Sequence, residues 1–197
     1  MIIAIKEKDK VVIGYSNLDT LCSLSNKDYV DEENLAIKFS NTDKTFVCSD
    51  MNRRSDVLLY DEELLNCEVS PKSIVSDIIP HIKERLKEND LVIDKNSGWK
   101  NTLTICDNEH IYDIGPKFDF REVYDFVCHG YREVDVVISV LDETSHLPTE
   151  ERIVKAVSFV GKLYKENLFP IVITDTKDKK FKVVYEGEFD NECFNSL

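Results

Sequence analysis

MIIAIKEKDKVVIGYS, residues 1–16, holds two short β-rich runs, IIAIK at 2–6 and KVVIGY at 10–15. The charged triplet EKD splits them, which is a hairpin signal. The chain is therefore expected to open on an antiparallel pair of strands. The strand-and-turn pattern around this pair sets the fold class.

Downstream, a polar stretch from about 17 to 33 reads as an irregular connection, marked by Asn, Asp and Ser. Two further strands are predicted at 35–39 and 45–49, joined by the turn-like SNTDK. Helices then take over. Residues 53–66 carry Val57, Leu58, Leu64 and Leu65 in an imperfect helical pattern. The next helix is better defined, with Ser70 as cap and Pro71 at the first position. Its apolar stripe is Ile74, Ile78, Ile82 and Leu86. Pro80 inside it is expected to bend it or break one hydrogen bond, and Asn89-Asp90 to end it.

The second half repeats the plan, with strands at 102–106, 110–114 and 123–129 and a DNE turn between the first two. A Val- and Ile-rich helix follows at 132–141. LPTEERIVKAVSFVGKLYKEN, 147–167, is the clearest helix: Thr149 is a natural cap and Glu150 and Glu151 suit the positive end of the helix dipole. Its apolar face is Ile153, Ala156, Val157, Val160 and Tyr164, and Pro170 follows its end. Strands at 169–174 and 181–186 close the chain around TKDKK. Strands joined in hairpins make antiparallel sheets, with the helices packed outside. The expected class is α+β: a four-layer αββα sandwich, two stacked and mainly antiparallel sheets between two helical layers. Runs such as VVI, FVC and IVI would be buried on both faces.

The chain's 197 residues suffice for one domain with a substantial core, expected to span 1–187 with a C-terminal tail at 188–197. A net charge of −13 disfavours nucleic acid, because binding a phosphate backbone needs a concentrated basic surface. The apolar start is too short for a signal peptide, and no later run reaches the length of a membrane span. A cytoplasmic protein is expected. The six cysteines, 22, 48, 67, 106, 128 and 193, form no CxxC pair and have no His at metal spacing. They read as small apolar residues, and neither metal nor cofactor is expected.

The sequence resembles the proteasome β-subunit and bacterial HslV type of N-terminal-nucleophile hydrolase. IIAIKEKDKVVIGYS at 2–16 resembles that family's first hairpin, and NLAIKFSNTDKTFVCS at 34–49 the next. VYDFVCHGY at 123–131 resembles the strand leading to its Gly-Ser-Gly turn, and LPTEE at 147–151 the start of a later helix. The resemblance covers about residues 1–187.

It implies chemistry that needs an N-terminal Thr, Ser or Cys acting with its own α-amine, a nearby lysine, and a glycine turn to hold the oxyanion. Position by position, these parts are altered. Met1 stands next to where the nucleophile would be, and removing it would expose isoleucine. Ser16 replaces an aspartate, and either orients a water or is a plain turn residue. The lysine position holds Ala36 in one register and Lys38 in another; a lone strand lysine also serves as a solvated, snorkelling side chain. The glycine turn reads CSDMN, with Asp50 and Met51 where small residues are needed.

The Gly-Ser-Gly turn reads Cys128-His129-Gly130. His129 is a candidate base or ligand, or simply a hydrogen-bonded strand end. Cys128 and His129 are not expected to act as a pair, since neighbours on a strand point to opposite faces. His81, His110 and His146 form no constellation in the sequence. Two functional readings remain open. One is a non-catalytic, proteasome-subunit-like protein with an assembly or binding role, as a homo-oligomer or with a protein partner. The other is a divergent N-terminal-nucleophile-type peptidase or amidohydrolase with a site relocated around Lys38 and His129.

Overall fold

The opening hairpin forms as expected, with β1 (Ile2–Lys6) antiparallel to β2 (Val11–Tyr15), so that Ile3 faces Gly14 and Ile5 faces Val12. The structure is a computed structural model that describes residues 1–16, 36–49, 52–91, 93, 94, 96, 98–130, 134–165 and 167–185. The expected irregular connection at 17–33, the glycine-turn residues Asp50 and Met51, and the tail at 188–197 lie outside the described residues.

Beyond the first hairpin run β3 (Ile37–Phe39), β4 (Thr45–Cys48), β5 (Leu103–Cys106), β6 (Ile111–Ile114), β7 (Phe120–Val123), β8 (Phe126–His129), β9 (Ile171–Asp175) and β10 (Lys182–Val184). They build two five-stranded sheets, ordered β10-β9-β2-β1-β8 and β3-β4-β5-β6-β7, and every pairing is antiparallel. Strand alternation gives the first sheet two apolar faces. Ile2, Ala4, Val11, Ile13, Tyr15, Val127 and Val172 join the second sheet in one core. Ile3, Ile5, Val12, Cys128, Ile171 and Ile173 join a second core with Val137, Leu141, Ile153 and Val157 of two later helices. That is the αββα sandwich, and it explains why VVI and IVI carry no polar alternation.

The 53–66 helix is in fact two, α1 (Arg53–Leu59) and α2 (Glu62–Leu65). Asp61 divides them because its side chain accepts the Glu63 and Leu64 N–H groups and so starts a new helix. Ser70 caps α3 (Pro71–Ser73) in a reciprocal capping box with Ser73. A π-helical turn, Ile74–Ile78, leads into α4 (Ile79–Glu88). Pro80, which has no N–H to donate, directly follows this wider turn, in which Ile79 N–H bonds Ile74 O. The stripe Ile74, Ile78, Ile82 and Leu86 is buried as expected.

The expected strand at 123–129 is corrected to two. β7 closes the edge of the second sheet on β6, Tyr124-Asp125 turns the corner, and β8 pairs with β1 in the first sheet. Two helices, α5 (Val134–Glu143) and α6 (Thr149–Tyr164), cover the outer face of the first sheet. Thr149 is the first residue of α6, not its cap; Pro148 occupies the cap position, with no side-chain hydrogen bond. α6 lies so close to β2 that a Cβ on Gly14 would collide with the Ile153 side chain. Among the described residues, no helix is long and apolar enough to cross a membrane.

Candidate functional site

Of the residues matched to the family site, Met1, Ser16, His129 and Gly130 gather at the sandwich end where β1 begins and β2 and β8 finish. The β1–β2 ladder extends by one step here: Ser16 N–H donates to Met1 O at 2.9 Å, and the Met1 ammonium donates to Ser16 O. The alternation that turns Ile2 toward the second sheet turns Met1 away from it. The Met1 side chain packs on the core beneath α5 and α6, with its Cγ 3.6 Å from where a Cβ on Gly130 would lie. Ser16 is buried, and its hydroxyl donates to Leu168 O.

Lys38 goes elsewhere. It shares a rank with Phe46 on β4, whereas Ile37 shares the rank of Val47 and Thr104. The second rank includes Asp113, which bonds His129 of the first sheet, so it faces the space between the sheets. Lys38 therefore faces the helical layer, where its Nζ lies 4.6 Å over the Tyr60 ring at the end of α1. Its strand is also three positions from β6 in the sheet, about 14 Å at ordinary strand spacing. Lys38 and His129 do not converge.

His129 is the matched residue that does face the inter-sheet space. Its Nε2 lies 2.7 Å from Asp113 Oδ1, and the two side chains come from different sheets. Asp113 is 3% exposed and holds a small cluster. Thr104 Oγ1 donates to its Oδ1 at 3.2 Å, and Arg121 Nε to its Oδ2 at 2.9 Å. Burial pushes the Asp113 carboxyl upward, but the hydrogen bond and charge of His129, with Arg121, outweigh it and hold the group below the usual carboxylate range. A carboxylate buried between two sheets persists only when paired in this way. The sequence reading missed Asp113, yet carried a signal for it: a lone acid inside the buried strand IYDI demands a partner.

Cys128 faces the opposite core, as the strand alternation requires, and burial pushes its thiol up to about 12, which suppresses thiolate formation at neutral pH. Two of the remaining histidines each pair with one carboxylate. His81 Nε2 meets Asp61 Oδ2 at 2.9 Å, where Arg85 Nε also donates at 2.6 Å. His110 Nδ1 meets Asp107 Oδ1 at 3.1 Å. Asp61 caps α2 and Asp107 caps the β5–β6 turn, so both pairs brace local structure. Among the described residues, no three His, Cys, Asp or Glu side chains are arranged to hold a metal ion.

The sequence matches no family description and no curated protein. Solved structures, however, share its fold. Thiobacillus denitrificans BPH superposes with a TM-score of 0.65 at 16% identity, covering 89% of this chain and 97% of that one. The same protein in complex with epoxomicin gives 0.63 at 14%, with 89% and 97% covered. HslV from Trypanosoma brucei gives 0.53 at 11%, covering 88% and 97%. Anbu, an ancestral β-subunit, from Yersinia bercovieri gives 0.57 at 11%, covering 94% and 87%. At these identities the likeness establishes the architecture alone: the αββα sandwich of this chain is the fold of those solved structures.

Proposed function

We propose that this chain is a non-catalytic, proteasome-subunit-like protein, one domain over residues 1–187, that acts by assembly or binding. The observation that carries the reading is the divergence of the matched positions. Met1 packs under α5 and α6, Ser16 is tied to Leu168, Lys38 faces the other helical layer, and His129 is held by Asp113. A hydrolase of this kind needs its nucleophile, base and oxyanion donor within hydrogen-bond reach of one reacting atom. In this reading the protein is a cytoplasmic homo-oligomer, open to a protein partner, and binds neither nucleic acid nor membrane. The net charge of −13 supports the exclusion of nucleic acid.

The structure of Thiobacillus denitrificans BPH with epoxomicin supplies the probe. Incubated with epoxomicin, this chain is expected to keep its intact mass; an adduct on its first residue would overturn the non-catalytic half of the reading. Light scattering tests the other half, where an oligomer is expected and a clean monomer counts against assembly. A second reading, the hydrolase with a relocated site, has one observation in its favour, the imidazole–carboxylate pair of His129 and Asp113. It requires that a panel of fluorogenic peptide and amide substrates be turned over, and that His129→Gln abolish that turnover while the protein stays folded.

A further inference from the structure

The second helical layer contains a groove of about 320 Å³ between α2 and the π-helical turn. Its size is at the low end for a ligand pocket, enough for one or two side chains. Leu64 and Ile78, both buried, and the ring of Pro80 form an apolar floor. Glu63, Asp77 and Glu84 stand exposed around it. No Lys or Arg is among the described lining residues.

Two cations of α4 are held by other partners. Lys83 Nζ lies 4.6 Å over the Phe118 ring, and Arg85 is bound by Asp61 and Glu88. His81, which does line the groove, has its Nε2 on Asp61. Cys67, half-buried at the groove, has its thiol pushed up by burial first and then by the field of Asp61 and Asp77. The π-helical turn places Asp77 at the rim and Ile78 in the floor together, and such turns recur at functional positions in helices.

An apolar floor under an acidic rim, with no Lys or Arg among the described lining residues, suits a long cationic side chain whose alkyl stem lies on the floor while its head meets the carboxylates. We propose that this groove docks a basic peptide segment of a partner protein, with a Lys or Arg side chain seated beside an apolar anchor. A second copy of this chain is disfavoured as occupant, since each carries a net charge of −13. A metal ion is disfavoured because, among the described residues, no ligand set is assembled. The groove lies over the second sheet, whereas Met1 packs on the first, so its occupancy is read independently of the epoxomicin result.

The test uses the full chain and a dye-labelled, capped hexapeptide of alternating Leu and Arg. Its counterparts replace Leu by Ser, or Arg by Glu. Fluorescence anisotropy is expected to show saturable binding of the Leu/Arg peptide, weakened by about tenfold or more in either counterpart. The combined variant Glu63→Gln, Asp77→Asn, Glu84→Gln is expected to lose about tenfold in affinity. The variant Glu109→Gln, Asp125→Asn, Glu143→Gln makes the same charge change at exposed positions elsewhere and is expected to change affinity less than about twofold. Bound peptide should also slow maleimide labelling of Cys67, read by peptide mass spectrometry. Absence of binding overturns the proposal, as does equal weakening by the two triple variants. Unprotected Cys67 overturns it too, and so does full competition by spermidine, since each would leave only general attraction to an acidic surface.

Discussion

The clearest consequence at the scale of one residue concerns Asp113. Replacing it with Ala leaves the largely buried His129 without its carboxylate, whereas Arg121 is 63% exposed and stays solvated, so a cost of about 1–3 kcal/mol is expected. Urea denaturation measures this, and a loss below about 1 kcal/mol would show that the cluster contributes little to stability. The pH dependence has a definite sign. The folded carboxyl titrates below its unfolded value of about 3.9, so its stabilisation is fully present above that pH and disappears as pH falls through the lower folded value. Asp113→Asn should therefore flatten the acid limb of stability below about pH 4. Gly14 makes a second case. Its Cβ-free backbone lets α6 approach β2, so Gly14→Ala is expected to cost about 1–3 kcal/mol by overpacking against Ile153. A thermal melt equal to wild type would show that α6 shifts without cost. The His129 position was readable from the sequence, but its role was not. The deciding carboxylate lies 16 residues upstream on the other sheet, a separation that no local pattern encodes.

Among the elements, local signals were reliable where the chemistry is local. The reciprocal bonds of Ser70 and Ser73 use residues three apart, so the start of the α3-to-α4 run was legible. Ser70→Ala should cost about 1 kcal/mol, read as a shift in the urea midpoint at unchanged slope. An unchanged midpoint would mean that packing of Ile74 and Ile78 alone holds that end. Asp61 misled the reading for the opposite reason. Its side chain looks like an ordinary polar residue within one helix, yet its capping bonds and its ties to His81 and Arg85 make it a boundary. The corner at Tyr124-Asp125 was equally invisible. Val123 and Phe126 are both good strand residues, and only their partners, Ile111 in one sheet and Ile5 in the other, separate them.

For the molecule as a whole, the turns far from Met1 tie the two sheets together. Thr176, after β9, accepts from Val11 N–H and donates to Asn108 in the β5–β6 turn of the other sheet. Its hydroxyl is buried, so Thr176→Val should cost about 1–3 kcal/mol by leaving both groups without this partner. Chemical denaturation checks it, and a neutral result would show that water replaces the hydroxyl. The nearby pairs Lys177–Asp9 and Lys179–Asp43 are more solvated and contribute less. By itself, the sequence determined that hairpins alternate with paired helices and that most strands are apolar on both faces. Hairpin pairing and burial patterning act within a few residues, and those two features specify antiparallel sheets with helices outside, an order that a generic α+β protein could share. The tertiary structure alone decided which face each candidate residue uses: Met1 toward α5 and α6, Lys38 toward Tyr60, His129 toward Asp113. A one-residue step along a strand reverses a side chain, so the site depends on register and sheet stacking, which only the assembled core sets.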